Sequence, residues 1–301
     1  MATFETSLKS RLIYVFAIPD EWHKDCLKVG ETTLEEDDGN FPLPNSEVLN
    51  KAACDRIDQY TKTAGIAYNL LHTEMTVFFK GGTISSFNDK QVHSVLERSG
   101  VKKKTFDTVK GANEWFCCDL ETVKKAIHAV KNGRNSLNAS DISYTQTPII
   151  FRPEQQAAID KTKKQFKKGA QMLWNAKMRF GKTLCALRVA RDLEMRRTII
   201  LTHRPVVDES WFEDFGKIFY DRTDYHYGSR TKGEDFTSLE RLAKKGDRYV
   251  YFASMQDMRG AQLVGGKFDK NNEVFSTDWD FLIVDEAHEG TRTELGESVI
   301  K

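Results

Sequence analysis

The residues of this 301-residue chain best suited to chemistry lie at Gly181-Lys182-Thr183 and, roughly 100 positions later, at Asp285-Glu286. The first group closes the segment Gln171–Thr183, QMLWNAKMRFGKT, an apolar stretch that turns through a glycine into a helical pattern. A glycine there lets the backbone turn tightly, and the N–H groups of the helix start point at phosphate oxygens. Lys182 would then reach the β and γ phosphates, and the Thr183 hydroxyl would ligate Mg²⁺. The full phosphate-loop pattern is not met, because Ala176 stands where the first glycine belongs. The second group follows an apolar run in Trp279–His288, WDFLIVDEAH. A carboxylate delivered to the carboxyl end of such a strand can hold Mg²⁺ through water, and its neighbour can orient or deprotonate an attacking water. Apart, the two groups read as a helix start and a charged turn; together they specify binding of a nucleoside triphosphate with Mg²⁺.

These groups need strands and helices to hold them. A helix is expected over Pro153–Lys168, with proline in its first turn where the missing N–H costs nothing. Strand Gln171–Asn175, helix Lys182–Met195 and strands Thr198–Thr202, Tyr249–Ala253 and Phe281–Asp285 follow. Strands apolar throughout and separated by helices imply a buried parallel sheet, an α/β domain over residues 149–301. The amino-terminal part, residues 1–131, patterns differently. Strands are expected at Arg11–Ile18, Leu27–Gly30 and Leu70–Lys80, and helices at Ser46–Thr61, Asp89–Ser99 and Leu120–Lys131. In the first of these helices Val48, Ala52, Ile57 and Tyr60 lie near a 3.6 period. This is a small α+β unit. The acidic, proline-containing stretch before that helix reads as a solvated loop. Asn132–Pro148, NGRNSLNASDISYTQTP, has too few large apolar residues to offset its ordering entropy and reads as a linker.

Composition narrows the class. Hydrophobic residues make up 40% and charged residues 30%, as in a folded globular protein. The 45 Lys+Arg and 44 Asp+Glu nearly cancel, so no global basic excess announces a nucleic-acid partner, although a local groove would not register in the sum. The apolar run Leu12–Ile18 is far short of the ~20 residues that span a bilayer, and Met1–Arg11 lacks a secretory pattern. Five cysteines with no Cys-x-x-Cys spacing are expected to be reduced thiols in a cytoplasmic protein.

The block from Phe151 onward resembles the first RecA-like domain of superfamily 2 helicases and translocases. Arg152-Pro153-Glu154-Gln155 resembles the adenine-sensing Q motif, which implies Gln155 on the base. Ala176–Thr183 resembles motif I, with Arg179 in place of its middle glycine, and Asp285-Glu286-Ala287-His288 is a DEAH form of motif II. Thr202 and Arg204, in LTHRP after the second strand, match motif Ia; Ser254 and Gln256, in Ser254-Met255-Gln256, resemble a further strand-binding motif. The resemblance implies that these four residues contact a nucleic-acid backbone. It also implies a second RecA-like domain and an arginine finger, which would make these residues the amino-terminal part of a longer protein. By itself such a part is expected to bind ATP-Mg²⁺ and hydrolyse it poorly.

The first block resembles GIY-YIG nucleases, in the branch common among phage and restriction-associated proteins. Ile13-Tyr14-Val15 and Lys28-Val29-Gly30 match the two core strands, Arg56 lies in the helix that carries the family's arginine, and NEWFCCDL over Asn113–Leu120 matches the closing segment. The resemblance implies Tyr14 near the nucleophile, Arg56 on the charge of the phosphorane, and Lys28 in place of the second tyrosine. A guanidinium suits that task because its donors match phosphate oxygens in pairs. The family's Glu-x-x-x-His helix is matched by Asp89 and His93, which implies Asp89 as the nuclease metal ligand, with Glu97 as the alternative. The expected protein is an ATP-dependent DNA translocase joined to an endonuclease. Two alternatives keep the motor: a first domain that only binds DNA, or an RNA helicase with an accessory domain.

Overall fold

The computed structural model describes residues 10–34, 41–106, 114–139, 141, 149–203, 205–259, 261–262, 267 and 271–285. The chain divides into two units, Met1–Leu137 and Asn138–Lys301, and the division falls inside the expected linker.

The first unit is built on a four-stranded antiparallel sheet. Its strands are β1 (Arg11–Ala17), β2 (Leu27–Thr33), β3 (Asn69–Met75) and β6 (Trp115–Phe116), in the order β3-β1-β2-β6. A hairpin of β4 (Val77–Lys80) and β5 (Thr83–Ser86) follows β3. The expected strand Leu70–Lys80 is therefore two strands, broken at Thr76, whose amide and hydroxyl both donate to the Arg11 carbonyl. Helices α1 (Glu47–Thr61), α2 (Asp89–Arg98) and α3 (Leu120–Lys131) complete the unit. Side chains alternate across a strand. Leu12, Tyr14 and Phe16 pack with Leu49, Ala53 and Ile57 of α1, together with Trp115. The opposite face meets α2, where His93 Nε2 donates to the Val29 carbonyl at 2.8 Å and its ring packs on Phe116.

The buried stripe of α1 is Leu49, Ala53, Ile57 and Thr61. That lies one position, about 100° of helix rotation, from three of the residues expected to face the core. Val48 and Tyr60 are exposed instead. The consequence is functional, because it turns Tyr60 toward the same side as Arg56.

The second unit carries a parallel sheet, order β10-β7-β9-β8, of β7 (Arg197–Thr202), β8 (Tyr225–Gly228), β9 (Arg248–Ser254) and β10 (Phe281–Val284). Helices α4 (Pro153–Gln165), α5 (Lys182–Asp192), α6 (Asp208–Phe219), α7 (Phe236–Ala243) and the single turns α8 (Met255–Met258) and α9 (Asn272–Phe275) surround it. Leu187 of α5 and the aromatic side of α6 pack on one face of the sheet, while α7 and Trp279 pack on the other. This is a mixed α/β fold with a parallel sheet of the kind expected from the alternating pattern. The expected strand Gln171–Asn175 does not form. Trp174 turns toward α4, its indole N–H donating to Thr162 Oγ1 at 2.8 Å, and Leu173 is left 84% exposed.

An ion network pins the amino ends of β8 and β9. Arg222 forks between Glu194 (2.8 and 3.0 Å) and Asp224 (2.7 and 2.8 Å), and Arg248 reaches Asp224 at 2.6 Å. The Arg222 hydrogen bonds hold the Asp224 carboxyl down to about 2. A depressed carboxylate adds stability above its unfolded value of ~3.9 and loses it as pH falls toward the folded value. Arg222→Ala is therefore expected to lower the melting temperature at pH 6 and to flatten its fall between about pH 4 and pH 2. Circular-dichroism melts across that window check it; an unchanged acid slope would refute it.

Candidate functional site

Two constellations emerge, one in each unit. In the first, the register pairs Tyr14 with Gly30 and Lys28 with Phe16 and Trp115, so Tyr14, Lys28 and Gly30 share the face that α1 covers. Arg56 and Tyr60, one helical turn apart on α1, lean over it. Tyr14 is buried at 3% exposure, and Tyr60 and Arg56 lie close enough to act on its phenol. Burial pushes both phenols up. Tyr60 and Arg56 act the other way on Tyr14, so Tyr14 is the phenol whose anion its neighbours support. Lys28 Nζ sits 4.7 Å from the Tyr60 ring centre and 3.4 Å from Glu114 Oε2. Arg56 is exposed, its guanidinium donating to Gln59 Oε1 at 2.7 Å.

Gly30 makes room for this arrangement. A Cβ there would lie 2.7 Å from both Cζ and Oη of Tyr14. The absence of a side chain thus seats the Tyr14 ring flat on β2.

The carboxylate beside the group is Glu114, the residue before β6. Its charge acts on both Tyr14 and Tyr60. Asp89 occupies the first turn of α2, on the other side of the sheet. Its backbone N–H donates to Glu31 Oε2 at 3.2 Å, and Glu31 shares the face of Val29 rather than that of Lys28 and Gly30. His93 is a packed histidine on the Val29 carbonyl, and Glu97 is paired with Lys103. The structure therefore brings together Tyr14, Lys28 and Arg56 as expected, and adds Tyr60 and Glu114 where the sequence reading had Asp89. The i, i+4 spacing of Arg56 and Tyr60 was the available signal; the adjacency of Glu114 to Lys28 depends on strand pairing and has no local signature.

In the second unit, α5 begins at Gly181, whose φ of +87° is left-handed. Gln155 holds the approach from α4: Nε2 donates to the Phe180 carbonyl at 2.7 Å, and Oε1 accepts from the Arg152 amide at 2.8 Å. One end of that amide is engaged with the loop and the other with the start of α4. A Cβ on Gly181 would lie 2.6 Å from Gln155 Nε2, so the glycine is required by both its conformation and its surroundings. Arg179 also adopts positive φ, +62°, at the position where motif I carries glycine. A left-handed arginine is strained, and such strain gathers in ligand-binding loops. Lys182 and Thr183 occupy the first turn of α5, and Ala176 precedes the turn over 177–180 that leads into it. Asp285 follows β10, its N–H donating to the Leu201 carbonyl at 2.9 Å; Glu286 lies outside the described residues.

The expected nucleic-acid contacts separate. Thr202 and Ser254 pair across β7 and β9 and are 2% and 0% exposed. Ser254 caps α8, its hydroxyl accepting from the Asp257 amide at 3.1 Å and donating to Asp257 Oδ2 at 2.7 Å. Gln256 is exposed, and Arg204 lies outside the described residues. Among the described residues no helix is long and apolar enough to cross a membrane.

Comparison with known proteins gives the second unit its family. The family described as type III restriction enzyme, res subunit, matches residues 148–301. A putative type II restriction enzyme and methyltransferase of Mycoplasma pneumoniae (its C-terminus) is 30% identical over 155 residues, covering 48% of this chain and 21% of that protein. The chain thus spans about a fifth of the length of the curated relative it matches. With just over half of its residues matched, the chain belongs to the family of type III restriction enzyme res subunits.

Proposed function

We propose that this chain is part of an ATP- and Mg²⁺-dependent DNA-processing protein of restriction type. In this reading residues 149–301 are the first RecA-like domain of a superfamily 2 translocase, and the first unit is a GIY-YIG-type endonuclease. DNA rather than RNA is favoured because the matched relative is described as a restriction enzyme and methyltransferase.

The observation that carries the nuclease half is the convergence of Tyr14, Lys28, Arg56 and Tyr60 on the face of β1 and β2 that α1 covers, with Glu114 reaching Lys28 from the segment before β6. Phosphodiester hydrolysis needs a proton acceptor for the attacking water and positive charge on the phosphorane. Tyr14, whose anion Tyr60 and Arg56 support, is the acceptor. Arg56 and Lys28 meet the phosphate oxygens. Glu114 fits a Mg²⁺ that keeps most of its waters, and such an ion would neutralise charge on the scissile phosphate. For the motor half, Gly181, Lys182 and Thr183 suit the phosphates of ATP and its Mg²⁺, with Gln155 holding the loop in shape.

The test uses the full chain with supercoiled plasmid and Mg²⁺ or Mn²⁺. Nicking is expected, and a chelator is expected to stop it. Plasmid that is bound but stays supercoiled under both ions would overturn the nuclease reading in favour of a DNA-binding domain.

Gly30→Ala probes the geometry. The added Cβ must push the Tyr14 ring aside, with an overpacking cost of about 1–3 kcal/mol. Displacing a reacting group by about 1 Å lowers rates on the order of 10²-fold, so nicking is expected to fall by that factor in protein that still melts cooperatively. Nicking at the wild-type rate would exclude a reactive role for Tyr14.

A further inference from the structure

The register of β2 and β6 has a chemical consequence outside the proposed active site. Leu27 pairs with Phe116 and Lys28 with Trp115, so the next pair in the ladder is Cys26 with Cys117. Their sulfurs are 3.0 Å apart. The Val29 amide donates to the Glu114 carbonyl at 3.1 Å, which makes Val29–Glu114 a hydrogen-bonded pair. Counting down the ladder, Cys26–Cys117 falls on a non-hydrogen-bonded pair, where side chains approach most closely and Cα atoms stand about 4.5 Å apart. That separation lies within the range a disulfide spans. Cys26 is buried and Cys117 exposed, so an oxidant from solution meets Cys117 while its partner waits beneath. Burial pushes the Cys26 thiol up to about 12, and its hydrogen bond with Cys117 adds to this. The Cys117 amide is tied to the Lys102 carbonyl at 2.8 Å, which fixes the backbone from which the thiol projects.

We propose that Cys26 and Cys117 form a reversible oxidation site, closed to a cross-strand disulfide by a hydroperoxide. The Cys117 sulfur, as thiolate, attacks the peroxide; the O–O bond breaks, leaving a sulfenic acid on Cys117 and an alcohol or water. The Cys26 sulfur then attacks the Cys117 sulfur, the S–S bond forms, and the S–O bond breaks with loss of water, which takes the thiol proton. Two thiols lose two electrons to one peroxide, and a dithiol reductant reverses the change. The bridge lies two residues from Lys28 and three from Glu114, so it clamps together the two strands that carry them. The site rests on strand register and thiol exposure, and it stands whether or not the first unit cleaves DNA.

The experiment treats the full chain with hydrogen peroxide, blocks remaining thiols and maps peptides without reduction. The expected product has lost two hydrogens, yields a linked peptide pair containing Cys26 and Cys117, and returns to free thiols with dithiothreitol. Cys117→Ser, at an exposed position, should fold normally and give no link, while Cys118→Ser and Cys185→Ser should leave the link intact. A bond between Cys117 and Cys118, an intermolecular dimer through Cys117, or sulfinic acid on Cys117 with Cys26 still alkylatable would each overturn the proposal.

Discussion

Arg56→Ala is expected to slow plasmid nicking by about 10³-fold, with plasmid binding changed only a few fold. The magnitude follows from what the guanidinium does: one donor lost from a developing oxyanion costs on the order of 10²–10³, and arginines in phosphoryl transfer reach ~10³–10⁵. The fold should persist, because α1 is anchored by Leu49, Ala53 and Ile57 while Arg56 is exposed and bonded to the Gln59 side chain. Lysine should not restore the rate, since a point charge cannot reproduce two parallel donors. The pH profile separates a chemical role from a structural one. Burial raises the Tyr14 phenol and Arg56 opposes that rise, so removing Arg56 moves Tyr14 further up. The rise of the rate with pH, set by ionisation of Tyr14, should then shift to higher pH. A uniform fall at every pH would mean that Arg56 acts elsewhere. Glu114→Gln should cost activity on a similar scale through the metal, and Asp89→Asn should leave it near wild type, since Asp89 lies across the sheet.

How much of this could be read without the structure depends on how local each feature is. β1, α2, α3, β7 and β10 announce themselves through short-range pattern and caps, and their observed bounds lie within a residue of expectation. Asn88, for example, accepts from the Gln91 amide while Gln91 returns a bond to Asn88, a capping box visible in the sequence. The stripe of α1 was displaced because Ala52 and Ala53, or Tyr60 and Thr61, are equally acceptable to a periodicity count; only packing against Phe16 and Trp115 chooses between them. Sequence spacing places Asp89 on a helix but not on a side of the sheet, and it offers no signal for Glu114. Glu114 and Lys28 are 86 positions apart and meet through the β2–β6 ladder. The unformed strand Gln171–Asn175 shows the converse, an apolar run whose largest side chain, Trp174, is claimed by α4. The proposed phosphate loop rests on contiguous residues: Gly181, Lys182 and Thr183 are neighbours in both sequence and space.

That contiguity makes Lys182→Ala the sharpest test of the second unit. Affinity for ATP-Mg²⁺ is expected to fall by about 100-fold, since a hydrogen bond to a charged group contributes about 1.5–3 kcal/mol and the ammonium faces several phosphate oxygens. Isothermal titration of the full chain measures it, and unchanged affinity would remove the phosphate-loop assignment. The companion variant is Gly181→Ala, which keeps the lysine and alters the backbone that aims it. Holding alanine at φ +87° costs about 1–2 kcal/mol, and its Cβ would press on Gln155 Nε2 at 2.6 Å. Relief means moving Gln155 off the Phe180 carbonyl, which frees the turn from 177 to 180 that precedes α5. Gly181→Ala should therefore lose both nucleotide affinity and thermal stability, whereas Lys182→Ala loses affinity alone. Gln155→Ala separates the two readings of that glutamine. If it acts by bracing the loop, as its bonds to Phe180 and Arg152 indicate, affinities for ATP and GTP fall together and the melting temperature drops. If it reads the adenine, ATP affinity falls while GTP affinity holds.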